Sequence, residues 1–300
     1  MERASSLTLE QCKAGFKEVF QQLTHAHNFA EVWADFAELG AICIHNSAYF
    51  NPAWMPAELE EKALLLPIDQ VFQSLEERYL SLVPKYGKDG MKLMSGLYAY
   101  TEHAVRTHRA DFLGPLYEEL DLSGSAQRSK RGEFFTPLTI AQLMARLTLS
   151  HVGSIIEEKG YVTLHDPCVG AAGMVIAAVE QLAALGYDPR QMLLVEAIDV
   201  NKTFFNIAYL QLSALDIPAC VWWGNTLSLE MHEYRETPQL KLSRFYWEKR
   251  PKFQMLKFIK TVDAQMRSDP AANAQPELEA SDVADSPVPE MDKSGQFRLF

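Results

Sequence analysis

The strongest fold signal in this sequence lies in one stretch, Tyr161-Val-Thr-Leu-His-Asp-Pro-Cys-Val-Gly-Ala-Ala-Gly173. Val162 and Leu164 are strand formers, and the Asp-Pro pair that follows them marks the end of a strand. Gly170 and Gly173 allow a sharp turn and a close approach of the backbone to a ligand. The stretch therefore predicts a β-strand that ends in a glycine turn, with a ligand site at the carboxyl end of the strand.

Helices and strands are predicted to alternate after the glycine turn. An apolar helix runs from Met174 to Leu185, and Met192 to Ile198 has the continuous apolar character of a strand in a parallel sheet. A helix from Lys202 to Leu215 and a strand from Ala219 to Trp223 come next. This βαβαβ order predicts an α/β, Rossmann-like domain with parallel strands. The sheet is predicted to be short, because no clear strand follows residue 227.

The N-terminal part of the chain has the periodicity of helices. Phe16, Phe20 and Leu23 recur at helical spacing, and the alternation typical of strands is hard to find. Farther along, Thr136 is expected to cap a helix whose first residue is Pro137. The predicted organisation is an all-α helical domain over 1–125, the Rossmann-like domain over 126–240, a basic and aromatic helical segment over 241–267 and a disordered acidic tail over 268–300.

Composition limits the class of protein. With 48% hydrophobic residues the chain can form a sizeable core, and a net charge of −11 argues against a general nucleic-acid coat while leaving room for a local basic patch. The four cysteines form no Cys-x-x-Cys pair, and no metal site is predicted. The sequence shows no signal peptide and no long uncharged apolar run. We expect a reduced cytoplasmic setting without membrane association.

Polar residues end each of the predicted strands, at Asp166, Asp199 and Asn225. In nucleotide-binding folds a carboxylate at such a position takes the ribose hydroxyls, and a side-chain amide can bind an adenine edge. The turn departs from the phosphate-binding fingerprint, because Cys168 stands at its first glycine position. An adenosine ligand without phosphates is therefore favoured over NAD or ATP. The alternative is that each residue only caps a helix or forms a turn.

Taken together, several segments of the sequence resemble a known family. They are Asp111-Phe-Leu-Gly-Pro-Leu-Tyr-Glu118, Gly132-Glu-Phe-Phe-Thr-Pro137, Asp166-Pro-Cys-Val-Gly-Ala-Ala-Gly173, Asp199-Val-Asn-Lys-Thr203 and Gly224-Asn-Thr-Leu227. Their order and spacing are similar to those of adenine-N6 DNA methyltransferases, in particular the methylation subunit of type I restriction-modification systems. The resemblance covers roughly residues 90 to 227.

This resemblance implies S-adenosylmethionine as the cofactor and methyl transfer to adenine N6 of double-stranded DNA as the reaction. The cofactor-binding residues that it implies lie at the strand ends or in the segment before the first strand. They are Phe134, Phe135, Thr136 and Pro137 at the methionine end, Asp166, Pro167, Gly170 and Gly173 in the turn, Asp199 at the ribose and Asn225 at the adenine.

The acceptor motif of the family is not found. Members carry Asn or Asp, two prolines and an aromatic residue, whose polar groups accept hydrogen bonds from the adenine amino group while the ring stacks on the flipped base. This sequence has no Pro-Pro pair. The nearest match, Asn51-Pro-Ala-Trp54, makes Asn51, Pro52 and Trp54 catalytic candidates only if the motif order is permuted. Two interpretations stay open: an enzyme whose acceptor groups come from elsewhere, such as a partner subunit, and a catalytically inactive adaptor that binds DNA or the replication sliding clamp.

Basic and aromatic residues are interleaved after residue 241. Lys249, Arg250 and Lys252 are candidates for contacts with DNA phosphates, and the neighbouring rings are available for stacking on bases. The alternative is an amphipathic helix that packs Phe253, Leu256 and Phe258 on the core and leaves its charges in water.

The last residues form a short peptide, Gln296-Phe-Arg-Leu-Phe300. It resembles the motif by which bacterial proteins bind the DNA polymerase sliding clamp, with Gln296 in a polar notch and Leu299 and Phe300 in an apolar pocket. We therefore expect a protein encoded by a bacterium, phage or plasmid that works near the nucleoid.

Overall fold

A computed structural model describes residues 7–47, 70–120 and 135–248, all of which belong to one compact unit that spans Met1–Lys252. Before the sheet, these ranges contain α1 (Leu9–Thr24), α2 (Phe29–Ser47), α3 (Gln70–His108, kinked at Gly87), α4 (Leu113–Leu120), α5 (Leu138–Thr148) and α6 (Val152–Lys159). The α/β part follows as β1 (Val162–Asp166), α7 (Gly173–Ala184), α8 (Pro189–Met192), β2 (Leu193–Asp199), α9 (Lys202–Ala214), β3 (Ala219–Asn225), β4 (Glu230–Glu236) and α10 (Pro238–Glu248).

The N-terminal helices pack around a cluster of aromatic side chains. A capping box starts α1: the Thr8 hydroxyl accepts a hydrogen bond from the Gln11 amide at 3.2 Å, and the Gln11 side chain accepts one from the Thr8 amide at 2.8 Å. Phe16 meets three other buried rings edge-on, with centroid distances of 5.5 to 5.8 Å, and these are Trp33, Phe36 and Phe112. The predicted helical character of this region is confirmed.

The strands form one sheet in the order β1-β2-β3-β4. As predicted, β1, β2 and β3 are parallel, with Asp166 opposite Ala197 and Asp199 opposite Trp223. β4 runs antiparallel to β3 and closes that side of the sheet. The prediction of an α/β fold with a short sheet behind an all-α region is confirmed.

β4 itself corrects the prediction that no clear strand follows residue 227. Its sequence, Glu230-Met-His-Glu-Tyr-Arg-Glu236, is rich in charge and poor in strand formers, so it carries little local strand signal. The strand forms because β3 offers a pairing edge directly after a short turn. Arg235 is fully buried there, with its guanidinium 5.0 Å and 5.8 Å from the ring centroids of Phe205 and Tyr209.

One apolar core joins the N-terminal helices to the sheet. α9 contacts α2, α3, β2 and β3, and nearly all of its residues are buried. The approach of α2 to α9 is close, since a Cβ on Gly40 would come within 3.0 Å of the Leu210 side chain. The core thus contains residues from both predicted domains, and the predicted boundary near residue 125 stays a prediction.

The start of α5 differs from the prediction. The helix begins at Leu138, and no side chain caps it, so the predicted Thr136 cap is wrong. Pro137 occupies the cap position in an extended conformation, and its carbonyl accepts hydrogen bonds from the amides of Ile140 and Ala141 at 2.9 and 3.0 Å. Pro137, which has no side-chain acceptor, therefore occupies the cap position that the sequence assigned to Thr136.

α10 covers the beginning of the predicted basic and aromatic segment. Trp247 is buried and meets Tyr161 edge-on, with ring centroids 5.5 Å apart. The Trp247 ring is therefore part of the packed interior. For this residue, the observation favours the amphipathic helix over a DNA-stacking role. The rest of that segment, from residue 249 onward, lies outside the described ranges.

Candidate functional site

The glycine turn follows β1 directly. Asp166 ends the strand, and its Oδ1 accepts a hydrogen bond from the Cys168 amide at 3.2 Å. Gly170 and Ala172 both have left-handed backbone angles, with φ of +54° and +72°. That conformation is free of strain for glycine but costs an alanine about 1 kcal/mol or more. The turn reverses the chain within a few residues and starts α7 at Gly173.

Asp199 ties the end of β2 to this turn. Its Oδ2 accepts a hydrogen bond from the Gly170 N–H at 2.8 Å, and its Oδ1 accepts one from the Asn201 N–H at 2.8 Å. The residue is only 7% exposed. A carboxylate oxygen can accept more than one hydrogen bond, which is the property that binding of ribose hydroxyls requires.

The end of β3 is linked to the same turn. The Thr226 hydroxyl donates to the Pro167 carbonyl at 2.6 Å. The Asn225 Oδ1 accepts from the amides of Leu227 and Ser228 at 2.9 and 3.3 Å. Its side-chain nitrogen is therefore the group that can donate to a ligand. The carboxyl ends of the parallel strands meet at one edge of the sheet, as the sequence predicts.

Phe135 packs onto the turn from the segment before α5. Its ring centroid lies 5.9 Å from that of Tyr117 and 5.2 Å from that of Phe204, both in edge-to-face geometry. A Cβ on Gly170 would come within 3.4 Å of the Phe135 ring. The aromatic cluster therefore forms an apolar wall beside the turn.

Two carboxyl groups set the electrostatics of the turn. Burial raises the pKa of Asp166, and the hydrogen bond from the Cys168 amide lowers it by less. Partial burial and the neighbouring Asp166 and Asp199 carboxylates also raise the pKa of the Cys168 thiol. The thiol is therefore protonated at neutral pH and is not an activated nucleophile.

Sequence reasoning missed two residues that contact the turn from the protein interior. The Gln211 side chain on α9 donates to the Ala171 carbonyl at 2.5 Å and to Asp111 Oδ1 at 2.9 Å. A Cβ on Gly173 would come within 2.9 Å of Asp111 Oδ2. The available signal was the family-like segment from Asp111 to Glu118, for which the sequence suggested no chemical role.

The arrangement suits an adenosyl group on a cationic sulfur better than it suits a phosphate. A phosphate-binding turn directs the backbone N–H groups of the turn and of the following helix start at the phosphate. Here the Gly170 N–H donates to Asp199. The carboxyl groups of Asp166 and Asp199 would also repel a phosphate and attract a sulfonium.

Most of the predicted cofactor-binding residues surround the turn. Asp166, Pro167, Gly170, Gly173, Asp199 and Asn225 lie at the strand ends with Phe135 beside them, and Thr136 and Pro137 are exposed at the start of α5. The other candidates lie outside the described residues: Phe134, the catalytic candidates Asn51, Pro52 and Trp54, the DNA-binding candidates Lys249, Arg250 and Lys252, and the clamp-binding candidates Gln296, Leu299 and Phe300.

Features of other kinds of site are few in this part of the chain. Within 7–47, 70–120 and 135–248, no helix combines the length and apolarity needed to cross a bilayer, and no three potential metal ligands cluster. A cavity of about 240 Å³, lined by Tyr98, Arg106, Ser213 and Asp216 among others, lies at the amino end of β3. It is therefore at the opposite end of the strand from the glycine turn.

Comparison with known proteins gives a family and a structural neighbour. The N-6 DNA methylase family model matches residues 108–250, which include the turn and all three parallel strands. No curated protein matches the sequence. One solved structure, described as a class I S-adenosylmethionine-dependent methyltransferase from Listeria monocytogenes, is similar at 14% identity with a TM-score of 0.32, over 72% of this chain and 55% of that one. Residues 108–250 of this chain are therefore similar to the N-6 DNA methylase family.

Proposed function

We propose that this chain binds S-adenosylmethionine at the glycine turn and acts as the donor-binding component of an adenine-N6 DNA methyltransferase. The observation that carries the proposal is the hydrogen bond from the Gly170 N–H to Asp199, which couples the turn to a carboxylate. A turn built in this way favours an adenosyl sulfonium over a nucleotide phosphate. The family match supports DNA as the methyl acceptor.

Each strand end would hold a different part of the ligand. Asp199 would accept hydrogen bonds from the ribose hydroxyls, and the Asn225 side-chain nitrogen would donate to the adenine. Phe135 would shield the turn from water. The cofactor, when bound, supplies a methyl group on a positively charged sulfur, and Asp166 and Asp199 would stabilise that charge.

The acceptor half of the reaction needs groups that this sequence does not show. A methyltransferase that acts on adenine must take the base out of the duplex and accept hydrogen bonds from its amino group. The sequence has no Asn/Asp-Pro-Pro-aromatic motif. We therefore assign donor binding to this chain and expect a partner subunit to complete the acceptor site on double-stranded DNA.

Calorimetric titration with S-adenosylmethionine tests donor binding. Gly170→Ala should weaken binding, because the new Cβ strains a left-handed turn and comes within 3.4 Å of the Phe135 ring. Gly186→Ala is the matched control: Gly186 is also left-handed, at φ +87°, but it lies after α7, and a Cβ there would meet nothing within 4 Å. Equal affinities of the two variants, or no heat with the unaltered chain, would contradict the proposal.

Transfer of labelled methyl groups to double-stranded DNA tests the reaction. We expect labelled N6-methyladenine only when a protein carrying the acceptor motif is present with this chain. Label in cytosine would overturn the assignment to adenine. Label in adenine with this chain alone would show that its own residues complete the acceptor site.

A non-catalytic adaptor is the second candidate, and the missing acceptor motif is the observation in its favour. Such a protein would bind DNA or the sliding clamp, the latter through Gln296, Leu299 and Phe300, without transferring methyl groups. Deletion of residues 297–300 should then abolish clamp binding in a pull-down, while S-adenosylmethionine binding stays unchanged. Undiminished clamp binding would show that this peptide is not the clamp-binding segment.

A further inference from the structure

A fully buried amide lies directly behind the glycine turn. Gln211 is 0% exposed, and its side chain uses all of its hydrogen-bonding groups. Its Oε1 accepts from the amides of Phe112 and Leu113 at 2.8 and 3.1 Å. Its Nε2 donates to Asp111 Oδ1 at 2.9 Å and to the Ala171 carbonyl at 2.5 Å. One side chain thus joins α9, the start of α4 and the glycine turn.

The Asp111 carboxyl completes this contact. Its Oδ1 also accepts from the Gly114 amide at 3.0 Å. A Cβ on Gly114 would come within 2.6 Å of Asp111 Oδ2, and a Cβ on Gly173 within 2.9 Å of the same atom. The backbone at both glycines therefore packs straight onto the carboxyl, and any larger residue at either position would displace it.

The turn depends on such support because its conformation is costly. Ala172 is left-handed at φ +72°, an angle that an alanine adopts only where its surroundings impose it. Asp199 fixes one end of the turn through the Gly170 N–H, and Gln211 fixes its middle through the Ala171 carbonyl. Loss of the second contact would leave fewer interactions to hold Ala172 in this strained conformation.

We propose that Asp111 and Gln211 are positioning residues for the methyl-donor site. They do not touch the ligand; they hold residues 170–173 in the conformation that binds the adenosyl group. This inference rests on the proposed function, and it gives the family-like segment that begins at Asp111 a physical role: its first residue buttresses the donor-binding turn from the interior.

Substitution of Gln211 tests the proposal against a matched control on the same helix. Gln211→Met keeps the length of the side chain and removes its contacts with the turn, while Asn206→Leu removes a buried amide that donates no bond to the turn and accepts from Arg235 Nη1 at 3.1 Å. Both variants should lose stability. Only Gln211→Met should bind S-adenosylmethionine about tenfold more weakly, as expected if the competent turn were populated about a tenth of the time.

Hydrogen exchange measured without ligand gives an independent readout. The Gly170 and Ala172 amides, which donate to Asp199 and to the Val169 carbonyl, should exchange faster in Gln211→Met than in Asn206→Leu. Equal affinity and equal exchange in the two folded variants would overturn the positioning role. If the unaltered chain does not bind S-adenosylmethionine, the proposed function itself is contradicted. The positioning role in donor binding is then contradicted as well.

A second pair of variants covers the case in which Gln211→Met does not fold. Asp111→Asn keeps an oxygen that accepts from Gly114 and Gln211, and should retain affinity for S-adenosylmethionine. Asp111→Ala removes that oxygen and should lose about tenfold. Equal affinity of Asp111→Ala and Asp111→Asn would contradict the proposal.

Discussion

The buried Asp111 carboxyl makes the stability of the folded protein depend on pH. Burial raises the pKa of its carboxyl to about 6 from an ordinary value of 3.8, the hydrogen bonds from Gln211 and Gly114 lower it by less, and Glu118 raises it further. The folded protein therefore holds the proton more tightly than the unfolded chain does. The resulting stabilisation is complete below pH 3.8 and is lost as the pH rises through about 6.

Asp111→Asn should remove this dependence. Between about pH 4.5 and pH 8, the free energy of unfolding of the unaltered chain should fall by about 2 kcal/mol relative to that of the variant. Urea denaturation at the two pH values measures the difference, and all other titrating groups are shared by the two proteins. A constant difference between their unfolding free energies would show that Asp111 is not the titrating group.

Among the helices, α1 and α5 begin in physically different ways. α1 has a reciprocal capping box between Thr8 and Gln11, whereas α5 begins after Pro137 without a side-chain cap. The difference arises because Pro137, which occupies the cap position of α5, has no side-chain acceptor for the free N–H groups of the first turn. A threonine before a helix is thus a cap only if its hydroxyl reaches a free N–H.

The two threonines should respond differently to alanine. Thr8→Ala should cost about 1 kcal/mol of unfolding free energy, because it leaves the Gln11 amide without its acceptor. Thr136→Ala should change stability by less than about 0.5 kcal/mol, as an exposed residue that caps nothing. Thermal or urea unfolding of the two variants side by side makes the comparison. If Thr136→Ala lowered the free energy of unfolding as much as Thr8→Ala, Thr136 would have to cap α5 after all.

For the molecule as a whole, the continuous core predicts cooperative unfolding. Buried side chains of α1, α2 and α3 share one cluster with those of α9 and the sheet. If that core unfolds as a unit, peptides from α2 and from β2 should lose their protection against amide hydrogen exchange at the same urea concentration. Exchange of α2 at clearly lower urea would instead favour the independent helical domain over 1–125 that the helical periodicity predicts.

The predictions that succeeded depend on neighbours in the chain. Glycines at Gly170 and Gly173 and the apolar runs around them act within a few residues, so the strand, turn and helix can be predicted from local chemistry. Asp166, Asp199 and Asn225 were predicted to meet because parallel strands share one carboxyl edge. Their bonding partners, such as the Gly170 N–H on Asp199, were not predictable from the same pattern.

Local sequence thus set the α/β order, the glycine turn and the strand-end polar residues. Folding in three dimensions added β4, the proline start of α5 and the support of the turn by Asp111 and Gln211. These features depend on contacts between distant parts of the chain, since Gln211 and Asp111 are 100 residues apart. The periodicity of the sequence does not predict such a contact. The hydrogen-bond partners of a buried amide are the groups that the packed core brings within about 3 Å of it.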